Sequence, residues 1–209
     1  MSTLVVFARV PERGRVKTRL AATLGEDAAL SLYEAFLDDT LAVAAAAATT
    51  CGADLVAAVA GSGWTRGAFV PQPAGDLGQR MGALVDAYVH AGPVCIIGSD
   101  APTLAPSQIA RAFDALRDRE VVLGPGVDGG YWLVGARRMI PELLAEMPWS
   151  TPAVLGETLK RLRGRSVALV DFWYDVDDAA GLQLLRAHLG VLPDDVAPAT
   201  RRALAQLPE

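Results

Sequence analysis

Short apolar runs alternate with helical patterns along the chain, and this alternation restricts the fold to layers of helices on a β-sheet. Because the runs lack polar alternation, they are typical of a mostly parallel sheet with helices on both faces. Strands are predicted at 4–8, 55–60, 94–97, 121–123, 131–134 and 167–170, with a short piece near 69–70. Helices are predicted at 26–48, 79–91 and 107–118, after a cap at Ser150 or Thr151, and once or twice beyond Asp178.

Composition narrows the class of protein further. The 209 residues are 52% hydrophobic, which is enough for one α/β domain over residues 1–209 with a real core. With 19 basic and 24 acidic residues, the net charge of −5 argues against nucleic acid as a partner. We expect a soluble cytoplasmic protein with no membrane partner, since no apolar run reaches the length of a membrane helix. A homodimer is left open.

The first candidate for chemistry is a basic loop directly after the first strand. Five of the 19 basic residues lie within 9–19, and Lys17 is one of only two lysines in the chain. Ligands bind at the carboxyl ends of strands in open α/β sheets, so clustered cations there indicate a polyanion site. Gly14 would let the backbone approach phosphate oxygens. The alternative is a solvated loop with scattered ion pairs.

Asp100 follows another predicted strand, between Ser99 and a proline two residues on. Magnesium is typically held by one or two carboxylates together with substrate phosphates, and Asp100 is placed for that role. A turn or helix-capping aspartate is the alternative. Asp175 and Asp177 share one side of an extended stretch and could supply a second carboxylate, whereas Asp178 is expected to cap the next helix.

The glycine-rich stretch 124–130 contains a literal G-x-G-x-x-G, but it leads into a strand and not a helix, so it is no dinucleotide fingerprint. It would instead let the backbone lie against a ligand, with Asp128 and Tyr131 as polar contacts. A tight hairpin with Tyr131 in the core is the alternative. Two further pairs could reach a substrate or merely belong to helix starts: Gln79 with Arg80, and Trp149 with Ser150.

Together these stretches resemble the DUF2064 transferases, which are GT-A-type proteins of the nucleotide-diphospho-sugar transferase superfamily. The resemblance covers about residues 4–180. It is carried by Phe7-Ala8-Arg9-x-Pro11-x-x-Gly14-x-Val16-Lys17-Thr18-Arg19-Leu20, Gln72 with Gly75–Met81, Ile97-Gly98-Ser99-Asp100-x-Pro102-x-Leu104, Gly124-Pro125-x-x-Asp128-Gly129-Gly130-Tyr131-Trp132-Leu133-x-Gly135, and Trp149-Ser150-Thr151. The chain departs from the family pattern at Arg9, Arg13 and Asp178, which leaves the second metal ligand open.

The resemblance implies a three-layer α/β/α Rossmann-like GT-A fold that binds a nucleotide and Mg²⁺ or Mn²⁺. Metal ligands would be Asp100 with Asp175 or Asp177, and Lys17, Asp100 and Asp128 would be catalytic. The nucleotide would contact Ala8, Arg9, Gly14, Lys17, Arg19, Gln79, Arg80 and Ser99. The remaining substrate would contact Asp128, Gly129, Gly130, Tyr131, Trp149 and Ser150.

The leading hypothesis is a metal-dependent transferase that acts on a nucleoside triphosphate or a nucleotide sugar and a small acceptor. The basic loop suits a triphosphate and slightly favours nucleotidyl transfer. Members of the resembled family are sometimes described as glycosyltransferases, which favours glycosyl transfer, with Asp128 as a base. A non-catalytic nucleotide-binding protein of the same fold is the third hypothesis, because a fold alone does not establish turnover.

Overall fold

A computed structural model describes residues 1–207, which form seven strands and eight helices. The strands are β1 (Ser2–Arg9), β2 (Ala53–Ala60), β3 (Val70–Pro71), β4 (Val94–Ile97), β5 (Val121–Pro125), β6 (Tyr131–Ala136) and β7 (Val167–Leu169). The helices are α1 (Thr18–Leu24), α2 (Glu26–Cys51), α3 (Leu77–Val89), α4 (Pro106–Ala115), α5 (Pro141–Leu144), α6 (Val154–Arg161), α7 (Ala179–Leu189) and α8 (Pro198–Leu204). Within residues 1–207, no helix has both the length and the apolar character needed to cross a membrane.

The strands form one sheet in the order β3-β2-β1-β4-β6-β5-β7. Only β6 runs against its neighbours β4 and β5, and the other strand pairs are parallel. The predicted mostly parallel sheet is therefore confirmed. The carboxyl ends of the parallel strands lie along one edge of the sheet, and β6 begins at that same edge.

Alternating side chains of β1 divide the core between the two faces of the sheet. Leu4 and Val6 pack with residues of α2 and α4, whereas Val5 packs with residues of α3 and α5 on the opposite face. This period of two is the geometry of a strand that is buried on both sides. Helices therefore cover both faces of the sheet, which confirms the predicted three-layer α/β/α arrangement.

An additional group of helices packs on the outside of α2. Residues of α1, α7 and α8 share a third buried cluster with α2. The buried carboxylate of Asp39 on α2 accepts hydrogen bonds from the backbone N–H groups of Ala199 (3.0 Å) and Thr200 (2.8 Å). These amides belong to the first turn of α8, so Asp39 holds the start of that helix.

Several details differ from the sequence prediction, among them α3, which runs from Leu77 to Val89 where 79–91 was predicted. The predicted helix cap at Ser150 or Thr151 is wrong, because α6 begins only at Val154, after Ala153. Ser150 has φ +62°, a left-handed conformation in which the chain turns before the helix starts. Two helices, α1 and α5, were not predicted, and α4 ends at Ala115, three residues before the predicted end. The predicted cap at Asp178 is confirmed, since its carboxylate accepts from the N–H of Gly181.

Candidate functional site

A cleft with two connected lobes lies at the carboxyl edge of the sheet. The first lobe, about 430 Å³, is lined by the end of β1 and the basic loop. The second lobe, about 500 Å³, is lined by the β5–β6 turn and the stretch that contains Asp175. Arg19, Asp100 and Asp177 belong to both lobes, so the lobes meet at the predicted metal ligands.

The end of β1 is fixed by one hydroxyl group from α2. Tyr33 Oη donates to the carbonyl of Arg9 and accepts from its N–H, each at 3.0 Å. The same oxygen lies 3.3 Å from Ser99 Oγ, which is buried at the end of β4. Tyr33 therefore holds two neighbouring strand ends in place beneath the first lobe.

A second network fixes the opposite wall of the first lobe. Gln72 Nε2 donates to the carbonyls of Ala8 (2.8 Å) and Ala58 (3.1 Å), and its Oε1 accepts from Arg80 Nη1 at 2.9 Å. The guanidinium of Arg80 lies 5.7 Å from the ring centre of Phe7. An arginine held on an aromatic ring in this way is preorganised, since its fork is planar and rigid.

The arginines of the basic loop divide into two groups. Arg13 is paired with Glu26 and Asp27 on the first turn of α2, and it does not line the cleft. Arg15 is paired with Glu12, and it also lines the first lobe. Within residues 1–207, Arg9 and Arg19 form no ion pair, and both line the first lobe. The cations available to a ligand are thus fewer than the sequence cluster suggests.

Lys17 is a buried cation that faces two carboxylates. Its Nζ lies 2.6 Å from Asp100 Oδ1 and 2.6 Å from Asp177 Oδ1, and its side chain is only 4% exposed. Burial lowers the pKa of the Lys17 amine, but Asp100 and Asp177 outweigh this effect and raise the pKa above its ordinary value. Lys17 is consequently an ammonium ion.

Asp175 lies deeper in the second lobe. The adjacent Val176 N–H donates to the carbonyl of Asp100 at 2.9 Å, which holds this stretch against the Asp100 loop. Burial, reinforced by the negative charges of Asp100 and Asp177, raises the pKa of Asp175 to about 7. Among residues 1–207, no three metal-ligating side chains form a ready-made cage. Asp177 is the carboxylate that shares the Lys17 amine with Asp100.

The β5–β6 turn supplies Asp128 to the second lobe. Asp128 Oδ1 accepts from the N–H of Gly130 at 2.9 Å, which keeps the carboxylate at the turn. Gly129 has φ +88°, and a Cβ added there would lie 2.3 Å from the carbonyl oxygen of Pro152. Only glycine permits this close approach, so the turn and the residues before α6 form one wall.

Aromatic side chains complete the second lobe. Tyr131 and Trp149 meet edge to face, with ring centres 6.2 Å apart at 88°. Burial raises the pKa of the Tyr131 hydroxyl, which is therefore neutral near pH 7. Ser150 lies beside Trp149 and reaches both lobes.

Most of the predicted site residues line the cleft. In the first lobe these are Ala8, Arg9, Lys17, Arg19, Arg80, Ser99, Asp100, Trp149, Ser150 and Asp177. In the second lobe they are Arg19, Asp100, Asp128, Gly130, Tyr131, Trp149, Ser150, Asp175 and Asp177.

Three predicted residues, Gly14, Gln79 and Gly129, do not line either lobe. The Gln79 side chain accepts from the Asp76 N–H at 2.9 Å and is used in a capping box at the start of α3. Phe7 and Tyr33 line the cleft but were not singled out as site residues. The position of Tyr33 on an otherwise aliphatic helix face could have indicated that its hydroxyl group has a polar role.

Three solved structures share this fold. A proposed nucleotide-diphospho-sugar transferase from Desulfovibrio desulfuricans G20 is 26% identical, with a TM-score of 0.87 over 98% of this chain and 95% of that chain. CMP:2-keto-3-deoxy-manno-octonic acid synthetase complexed with CTP is 14% identical, with a TM-score of 0.53 over 90% and 98%. Rv0371c from Mycobacterium tuberculosis H37Rv, complexed with manganese, is 20% identical, with a TM-score of 0.50 over 91% and 99%. The chain has the fold of the nucleotide-diphospho-sugar transferases.

The sequence also matches one protein family. No curated protein matches this chain. A family model described as an uncharacterized protein conserved in bacteria (DUF2064) matches residues 30–151, which run from α2 to Thr151 in the second lobe. This match spans more than half of the chain, and the chain therefore belongs to the DUF2064 family.

Proposed function

We propose that the protein is a metal-dependent transferase that binds a nucleotide or nucleotide sugar in the first lobe and a small acceptor in the second. The observation that carries this proposal is the group formed by Lys17, Asp100 and Asp177 where the lobes meet. Arg9 and Arg19, which form no ion pair within residues 1–207, line the first lobe with Lys17, Asp100 and Asp177. Cations on one side and carboxylates on the other suit phosphates together with a divalent metal ion.

The donor set fits Mg²⁺ or Mn²⁺. Asp100 and Asp177 offer carboxylate oxygens, which hard divalent cations prefer, and Asp175 is the nearby third carboxylate. Two proteins of the same fold support a metal ion and a nucleotide as the bound groups by analogy, since Rv0371c is complexed with manganese and the synthetase with CTP. When bound, the metal ion would polarise phosphate oxygens as a Lewis acid.

The chain's own residues would position the reactants and balance their charge. Arg9 and Arg19 would neutralise phosphate oxygens as negative charge develops on the leaving nucleotide. In glycosyl transfer, the acceptor hydroxyl oxygen forms a bond to the anomeric carbon, and the bond between that carbon and the nucleoside diphosphate breaks. The hydroxyl proton passes to a carboxylate of the second lobe, for which we assign Asp128.

The charges of the second lobe favour glycosyl transfer to an uncharged acceptor. Within residues 1–207, four aspartates line this lobe, Asp100, Asp128, Asp175 and Asp177, and Arg19 is the one cation of its lining. Lys17 offsets part of the charge of Asp100 and Asp177 from the first lobe. A sugar phosphate, the acceptor of a nucleotidyl transfer, would add negative charge here, whereas a neutral hydroxyl compound would not. Nucleotidyl transfer is the second candidate, because Arg9, Lys17 and Arg19 could together hold a triphosphate.

A melting experiment tests the proposed ligands. Nucleoside triphosphates and nucleotide sugars are screened with and without Mg²⁺, and a ligand at one hundred times its Kd should stabilise the chain by about 2.7 kcal/mol. Asp100→Asn should abolish the part of the shift that depends on Mg²⁺. The exposed Asp195→Asn variant serves as a control that should respond like the wild type. A chain that no nucleotide stabilises would refute the proposal.

Product analysis then separates the reactions. Incubation of the stabilising nucleotide sugar with a neutral acceptor should release nucleoside diphosphate and yield a glycoside. Release of pyrophosphate from a triphosphate and a sugar phosphate would instead establish nucleotidyl transfer. Binding without either product would indicate a nucleotide-binding protein that lacks turnover.

A further inference from the structure

The ammonium group of Lys17 lies where a divalent cation would have to bind. Its Nζ contacts one oxygen of Asp100 and one of Asp177, both at 2.6 Å. These are the two carboxylates to which the proposed function assigns the metal, and the present inference rests on that assignment. We propose that Lys17 acts as an internal counter-ion that competes with the divalent cation, so that the metal binds well only after a phosphate group has drawn the amine away.

The backbone at Lys17 has an unusual conformation. Lys17 has φ 48° and ψ 42°, a left-handed conformation that is uncommon for a residue with a side chain. It immediately precedes α1, and its neighbour Val16 is buried. The side chain passes the ring of Phe36, whose centre lies 5.8 Å from Nζ. A strained residue at the centre of a cleft needs compensating contacts, and the two carboxylates supply them.

The exchange of partners follows from charge. With Lys17 in place, Asp100 and Asp177 are already neutralised in part, and a divalent cation that approaches them is repelled by the ammonium. A phosphate in the first lobe offers the amine another anionic partner, and the long, flexible lysine side chain can follow it. Lys17 itself lines the first lobe beside Arg9 and Arg19, which would bind the same phosphate.

Such competition makes the two ligands cooperative. If phosphate removes a cation from the metal position, it raises the affinity for metal, and by linkage metal raises the affinity for phosphate by the same factor. In an empty cleft Asp100 and Asp177 would remain paired with Lys17, without binding metal. A neutral residue at position 17 should weaken this coupling, because the carboxylates would then lack the Lys17 ammonium that phosphate draws away.

Titration with Mn²⁺, followed by electron paramagnetic resonance of the free ion, tests the competition on the full chain. Lys17→Met should bind Mn²⁺ about tenfold more tightly than the wild type, since a like charge has been removed from the site. Lys17→Gln is the second neutral variant, and Arg13→Met removes a basic-loop cation that does not line the cleft. The Asp100→Asn change should cancel the gain in the Lys17→Met background.

Inorganic phosphate tests the release of the amine. It should strengthen Mn²⁺ binding to the wild type by a larger factor than to Lys17→Met, after subtraction of a protein-free blank for chelation, and an equal factor in the two would overturn the competition. Mn²⁺ binding that depends on Asp100 but is equal or weaker in both neutral variants would overturn the competition while leaving the metal site intact. Binding that Asp100→Asn never alters would overturn the metal site of the proposed function itself.

Discussion

Asp175 is a carboxylate whose pKa is strongly changed by the fold. Burial and the charges of Asp100 and Asp177 raise its pKa from an ordinary 3.8 to about 7. Between these values the folded chain retains a proton that the unfolded chain has lost. The free energy of unfolding should therefore fall as the pH rises from about 4 to about 7, and it should stay lower above that range.

Asp175→Asn removes this titration. Without metal, the variant should melt higher than the wild type at about pH 8, by about 2–4 °C for each kcal/mol of relieved repulsion. Near pH 4 the two should melt together, because Asp175 is then protonated and uncharged. Melting curves at several pH values measure the difference. An equal offset at every pH, or one shared by Asp195→Asn, would contradict the assigned pKa.

The residue types of the cleft could be predicted from the sequence, but their pairings could not. Aspartates and basic residues that follow strands collect at one sheet edge, so Lys17, Asp100 and the pair Asp175 and Asp177 could be expected there, although the choice within the pair stayed open. The partner of each charge depends on distances across the fold. Arg13 faces Glu26 and Asp27 and not the cleft, and no local pattern distinguishes it from Arg9.

At the scale of the elements, α3 and α5 are joined through a glycine. A Cβ added to Gly78 would lie 2.0 Å from the carbonyl oxygen of Leu144 and 2.8 Å from the ring of Trp149. Gly156 in α6 is the matched case, because a Cβ added there meets nothing within 4 Å. The same substitution should thus have opposite effects on the two helices.

Gly78→Ala should destabilise the chain by about 1–3 kcal/mol, since backbone must shift to admit the methyl group. Gly156→Ala should stabilise it by about 0.5–1 kcal/mol, because at an exposed helical position alanine loses less backbone entropy on folding than glycine does. Urea unfolding of both variants checks the pair. A neutral Gly78→Ala would mean that the contact between α3 and the Trp149 segment is looser than described.

Strands were predicted more securely than short helices, for a physical reason. A buried strand such as β4 shows its character in four apolar residues, whereas helical periodicity needs several turns. The four residues of α5 are too few to show it. At Ser150 the sequence has the signature of a helix cap, but close packing of Pro152 on Gly129 accompanies a turn there instead.

At the scale of the whole molecule, charge is distributed unevenly. The chain carries a net −5, yet Arg9 and Arg19 stand unpaired at the mouth of the first lobe within residues 1–207. The proposed phosphate site is thus a local positive region on an acidic protein. Its attraction for a nucleotide should be sensitive to salt, because both arginines are exposed and exposed charges are screened.

The Arg9→Gln, Arg19→Gln double variant should bind the stabilising nucleotide about tenfold more weakly at low salt, equivalent to ~1.4 kcal/mol. The difference from the wild type should narrow as KCl is raised. Calorimetric titration at several KCl concentrations measures both effects. Arg13→Gln, whose guanidinium is already paired with acidic residues, should bind as the wild type does. An equal loss in this control would point to net charge as the cause.

The two hydrogen bonds between Asp39 and the start of α8 form only after a long part of the chain has been synthesised. A ribosome adds about 160 residues between this carboxylate and the two amides that bind it. At ~5–20 residues per second, Asp39 remains without them for about 10–30 s. During that interval water solvates the carboxylate, and the face of α2 that later carries α8 lacks this cover. Completion of this outer layer therefore follows the synthesis of all seven strands of the sheet.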